Sequence, residues 1–105
     1  LLSPAAIWHQ PGNNRFSGTH TGIAAVGGLL GQMTEVSKRS FAIAAANRFM
    51  ANGDLVAVEI EFSGERDGVK LSQAGIDLLR FSEGRIVVMW LFSSDPAEED
   101  SFWVR

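Results

Sequence analysis

An aspartate stands second in the run IDLLRF, residues 76 to 81, between Ile76 and Leu78. The remainder of the run suits a buried strand. An ionised carboxylate in apolar surroundings costs several kcal/mol unless it is paired, so such a group raises its pKa and keeps its proton. Asp77 is therefore expected to titrate above the ordinary carboxyl value of about 3.9. A protonated carboxyl can donate a hydrogen bond or act as a general acid. His9 and His20 are the two side chains whose ordinary pKa lies near neutrality. His9 is adjacent to Gln10 on one strand, so the two point to opposite faces. Neither histidine has the neighbours of a metal site, and structural or surface roles are expected for both. No metal site or cofactor is expected.

The elements that position these residues follow from periodicity and turn chemistry. Residues 5 to 10 read as a strand closed by the turn Pro11-Gly12-Asn13-Asn14, with a polar loop from there to Gly22. Ile23, Val26, Leu30 and Met33 recur at helical spacing behind Thr21, a suitable N-cap. Gly27, Gly28 and Gly31 weaken that helix, and close approach to a sheet is their expected use. Residues 41 to 50 read as a strand, and Asn52-Gly53 is a hairpin signal. Val56, Val58, Ile60 and Phe62 then alternate with Ala57, Glu59 and Glu61, so Glu59 and Glu61 fall on the solvated face. A turn is expected over Gly64 to Gly68, a long strand over 69–81, a turn at Ser82-Glu83-Gly84 and a last strand over 85–93. Asp95 to Asp100 reads as a helical turn carrying Phe102 and Trp103.

Composition narrows the classes. The 105 residues are 46% hydrophobic and 20% charged, which suits one folded domain over 1–105 with a single core. A net charge of -3 without a basic cluster argues against nucleic acid. The absence of cysteine excludes disulfides and thiolate metal sites. The longest apolar stretch, residues 86 to 92, is too short to span a bilayer, and Leu1 to Ala6 has no signal-peptide pattern. A cytoplasmic location is expected. The chain starts without methionine inside ordered-looking sequence, and residues upstream are expected to be missing from it.

Four segments in order carry a resemblance: WHQPGNNRFSGTHTG at 8–22, IDLLRF at 76–81, EGRIVVMWLF at 83–92 and DPAEEDSFW at 95–103. Together they resemble the nuclear-transport-factor-2-like superfamily, especially its SnoaL-like polyketide cyclases and ketosteroid isomerases. The resemblance implies an α+β fold, a curved antiparallel sheet forming a cone-shaped half-barrel with helices closing one side. It also implies opening helices that this chain lacks. Asp77 matches the place where the isomerases carry a buried, protonated aspartic acid that serves their oxyanion hole.

The same resemblance places a general-base aspartate where Gln10 stands before Pro11. Glutamine only donates and accepts hydrogen bonds. The chain also has no tyrosine, which those isomerases use. Steroid isomerase chemistry is therefore not expected. The Arg/Asp/Asp arrangement of limonene-epoxide hydrolases is not met either, nor is the acid that SnoaL-like cyclases need near the last strand, unless Asp95 turns inward. Arg48 either reaches Asp77 and keeps it ionised or extends to the rim. Trp8, Trp90 and Trp103 are packing residues by default.

Strand alternation puts Gln73, Gly75, Asp77, Leu79 and Phe81 on one face. The expected site is an apolar pocket with Asp77 as its acid and Gln10 and Gln73 as further polar groups. Its expected apolar lining is Val58, Ile60, Phe62, Leu79, Phe81, Met89 and Leu91. The expected ligand is a small apolar molecule with one polar oxygen. Catalysis, if present, would be an isomerase, cyclase or hydrolase step without a cofactor. The alternative is a non-catalytic ligand-binding or scaffold module. The last two strands are apolar on both faces, so a homodimer through the outer face is expected.

Overall fold

Period-two alternation at 56–62 and 69–81 dictates a sheet with one apolar face, and the computed structural model, which describes residues 1–104, has that sheet at its centre. Its elements are β1 (Leu2–Gln10), β2 (Gly18–Thr21), α1 (Ile23–Val36), β3 (Ala42–Asn52), β4 (Leu55–Arg66), β5 (Val69–Ser82), β6 (Arg85–Ser93) and α2 (Pro96–Trp103). The strand order is β2-β1-β6-β5-β4-β3. Neighbours are antiparallel except β1 and β6, which run parallel. The sheet is curved and unclosed, and with its two helices the fold is the expected α+β class. Among the described residues no helix is long and apolar enough to cross a membrane.

Along β4 the pattern decides burial: Val58, Ile60 and Phe62 are buried, whereas Glu61 is exposed. Val58 pairs with Asp77 and Asp77 with Leu91, so these three share the inner face at the middle of the sheet. Gly75, two residues before Asp77, pairs with Ser93 across β5 and β6. A Cβ there would collide with the Phe92 carbonyl oxygen and come within 3.0 Å of the Phe62 ring.

Four local expectations differ from the fold. The loop before Gly22 contains β2, a four-residue edge strand paired with β1. Its sequence, GTHT, has no apolar residue to betray it. Thr21 is the last residue of β2, and the N-cap of α1 is Gly22, which gives no side-chain cap. Gly27, Gly28 and Gly31 do not face a sheet, since a Cβ on any of them would meet nothing within 4 Å. The buried stripe of α1 is Val26, Leu29 and Met33, and the glycines lie off it. Finally, the turn expected over Gly64 to Gly68 is confined to Asp67-Gly68, because β4 continues to Arg66. Gly64 is instead a packing position: a Cβ there would stand 2.9 Å from the Phe102 ring.

Phe102 and Trp103 seat α2 in the main core. Trp103 packs edge-on to Phe16 and Phe102, with ring centroids 5.1 and 4.9 Å away, and tilts against Phe41. Asp95 caps α2 by accepting from the Glu98 backbone N–H at 3.1 Å. Gln73 on β5 clamps the same turn: its amide donates to the Asp95 carbonyl (3.0 Å) and Glu98 (2.6 Å) and accepts from the Asp95 N–H (3.1 Å). A smaller cluster of Ala6, Ile86 and Met89 fills the other end of the inner face.

Candidate functional site

Between these two clusters the inner face leaves a cavity of about 170 Å³. That is on the order of the space filled by a single aromatic ring. β1 contributes Trp8 and Gln10, α1 contributes Leu30 and Met33, and Phe41 and Ile43 close the β3 side. Ile60 and Phe62 come from β4, Asp77 from β5, Leu91 and Ser93 from β6, and Glu99 from α2. Leu30 and Ile43 are exposed and mark the open rim.

The cavity thus gathers Asp77, Gln10, Ile60, Phe62 and Leu91 from the residues expected to form a site. It does not include Gln73, which the α2 clamp occupies. Val58 and Leu79 belong to the packed core beside it, and Phe81 and Met89 to the smaller cluster. They follow the expected alternation but pack against other core side chains.

The polar groups on the cavity wall are few. Trp8 donates its indole N–H to Gln10 Oε1 at 2.8 Å, which orients the Gln10 amide. Gln10 is buried, so its placement is fixed by the core. Asp77 receives no hydrogen bond from the described residues. Burial, and secondly the negative charge of Glu99, push its pKa up to about 6. Below that pH the carboxyl is a donor; above it, an acceptor. Such a value suits proton transfer near neutrality.

Glu99 is the site residue that the sequence reading missed. It is 4% exposed. Ser93 donates its hydroxyl to Glu99 Oε1, and Trp103 donates its indole N–H to Oε2 at 3.2 Å. Burial raises the Glu99 pKa against the effect of these two donors. A signal was present: Glu99 stands three and four residues before Phe102 and Trp103, hence on the apolar face of α2.

Other reactive side chains lie elsewhere. His9 stacks on Trp90 at 5.7 Å and bonds Thr19, while His20 Nε2 donates to the Phe16 carbonyl at 2.8 Å. Arg48 approaches Glu59 at 4.0 Å and takes the rim position rather than Asp77. Glu61 accepts from Asn47 in solvent. Trp8 is the one tryptophan at the cavity wall; Trp103 is core, and Trp90 lies beneath Arg80.

A curved, unclosed α+β sheet with two helices is the fold of nuclear-transport-factor-2-like proteins. The chain belongs to the SnoaL-like domain family, whose pattern matches residues 1–89. It is 58% identical to a protein of unknown function with a cystatin-like fold from Xanthomonas campestris. The TM-score is 0.96, with 99% of this chain and 81% of that one covered. Bal32a, from a soil-derived mobile gene cassette, is 25% identical with a TM-score of 0.93, covering 98% and 79% of the two chains. A nuclear-transport-factor-2-like protein from Burkholderia xenovorans is 18% identical with a TM-score of 0.82, covering 97% and 77%. No curated protein matches the sequence.

Proposed function

We propose that the chain binds a small, largely apolar molecule of about one ring in size, oriented through a single oxygen by the Asp77 carboxyl. The observation that carries this reading is a carboxyl without a protein partner on the wall of an apolar cavity. An unpartnered polar group in such a place is the normal anchor of a small ligand. Gln10 adds a second donor, since its oxygen is engaged by Trp8 and its amide hydrogens are not. Chemistry at the site is a cofactor-independent proton transfer of isomerase, cyclase or hydrolase type, with Asp77 as the acid. A non-catalytic binding module is the second reading, and it is favoured by the neutral Gln10 before Pro11, which cannot act as a base.

Single-ring cyclic ketones, phenols and epoxides are the probes, screened by thermal shift and then by calorimetry. Asp77→Asn keeps the shape and a donor. An enzyme should then hold its ligand but lose turnover by about 10²–10⁴-fold. A binding module should lose little affinity, since one neutral hydrogen bond replaces another. Asp77→Leu should weaken the ligand in either case. Wild-type affinity in Asp77→Leu would remove Asp77 from the site.

A homodimer through the outer sheet face is part of the same proposal. Ile76 and Phe92 pair across β5 and β6 there and are 43% and 54% exposed. Together with Leu78 and Trp90 they form a continuous apolar patch, which a second copy would cover. Sedimentation should give a dimer at micromolar concentration, and Ile76→Lys should make it monomeric.

A further inference from the structure

Glu99 shares the cavity with Asp77, yet its surroundings differ in kind. Both of its oxygens accept a hydrogen bond, from Ser93 and from Trp103, whereas the Asp77 carboxyl accepts none. Hydrogen bonds to a carboxylate favour its charged form. Among the described residues no lysine, arginine or histidine lines the cavity. Two carboxyls in one low-dielectric space cannot both ionise readily without a cation, and unequal environments decide which one keeps the proton. The family pattern ends at residue 89, so Glu99 lies outside the stretch it matches.

We propose that Glu99 is the fixed anion of this pair and a positioning residue for the proton of Asp77, so that the cavity selects neutral ligands with an acceptor oxygen over carboxylates and phosphates. The ligand part rests on the function proposed above; the proton assignment does not. Among the described residues, the groups facing Asp77 from the other elements leave Glu99 as the sole charge in play. Its ladder partners Val58 and Leu91 are apolar, as are Leu30 and Met33 on α1 and Ile43 on β3. Gln10 on β1 is neutral. Beyond Glu99, Asp100 adds a like charge that raises the Glu99 pKa, and Asn13 and Asn14 hold it on the loop side. An ionised Glu99 therefore repels a second negative charge in the cavity, whether that charge is on Asp77 or on a ligand.

The test follows the Asp77 side-chain carboxyl by carbon-detected NMR against pH in unliganded wild type, Glu99→Gln and Ser93→Ala. Glu99→Gln should lower the Asp77 midpoint by about half a unit or more, because the like charge is gone while burial remains. Ser93→Ala removes one donor to Glu99, weakens its charge and should move Asp77 the same way by less. An Asp77 midpoint unmoved in both variants overturns the assignment. Calorimetry with cyclohexanone, cyclohexanecarboxylate and cyclohexylammonium tests the selectivity. Wild type should take the ketone about tenfold or more tighter than the carboxylate, and tighter at pH 5 than at pH 8. An ammonium that binds more tightly than the ketone would make the pair a cation site and overturn the proposal. Should none of the three probes bind wild type while the NMR shift is present, the ligand selectivity falls and the proton assignment stands.

Discussion

Asp77 and Glu59 stand one ladder step apart on neighbouring strands, yet they live in different media. Val58 pairs with Asp77 and Glu59 pairs with Ile76, so the two carboxyls project from opposite faces of one sheet. The Glu59 side chain is 42% exposed and has Arg48 at 4.0 Å. Asp77 has an apolar wall, a second carboxyl nearby and, among the described residues, no cation. The residue type is nearly the same. Strand parity alone assigns one to solvent and the other to the cavity wall.

The contrast between faces should be largest for the aromatic residues. Trp103→Ala removes a side chain that is fully buried and contacts three other rings, and should cost about 3–5 kcal/mol. Trp90→Ala on the outer face loses only the His9 stack and the Arg80 contact, and should cost the monomer about 1 kcal/mol. Urea denaturation measures both, and equal losses would erase the distinction. Next in size is Gly75→Ala, which drives a Cβ into the Phe92 carbonyl and should cost about 1–3 kcal/mol. The neighbouring Ala74→Ser, exposed on the other face, should stay within about 0.5 kcal/mol.

A pH profile sharpens the comparison further. The folded state holds the Asp77 proton up to about 6, whereas the unfolded chain releases it near 3.9. The folded protein therefore binds more protons in that window, and stability falls as pH rises through it. The contribution is fully present below the unfolded value and is lost above the folded one. Glu99, also raised by burial, acts in the same direction. Asp77→Asn should flatten this part of the profile. It should be more stable than wild type at pH 8 by on the order of 1 kcal/mol, after allowance for the partial solvent access of Asp77. Thermal melts from pH 3.5 to 8 would show it. The smallest effect belongs to Arg48→Ala, within about 0.5 kcal/mol, because its ion pair lies in solvent.

Much of this arrangement was legible before any coordinates. The alternation at 56–62 fixes which of Val58 and Glu59 turns inward, and the Asp77 anomaly stands out for the same reason. Asp95-Pro96 announces the start of α2, where Asp95 does cap the helix. What periodicity cannot reveal is where an inner face is filled and where it is left open. Leu79 and Met89 obey the same pattern as Leu91, yet the core fills their end and leaves the other hollow. Gln73 was also beyond reach, because its partners lie 22 and 25 residues away on α2. Glu99 was readable from its spacing to Trp103, but its importance depends on a strand residue, Ser93, and on the Asp77 carboxyl across the cavity.

The central claim is that the inner face holds the Asp77 proton well above the ordinary carboxyl range, up to about pH 6. Carbon-detected NMR titration of the Asp77 side-chain carboxyl tests it most directly. The account predicts an Asp77 midpoint of about 6. An Asp77 midpoint at or below about 3.9 would contradict the account, because a carboxyl that ionises so readily is not shielded from water and holds no proton to donate.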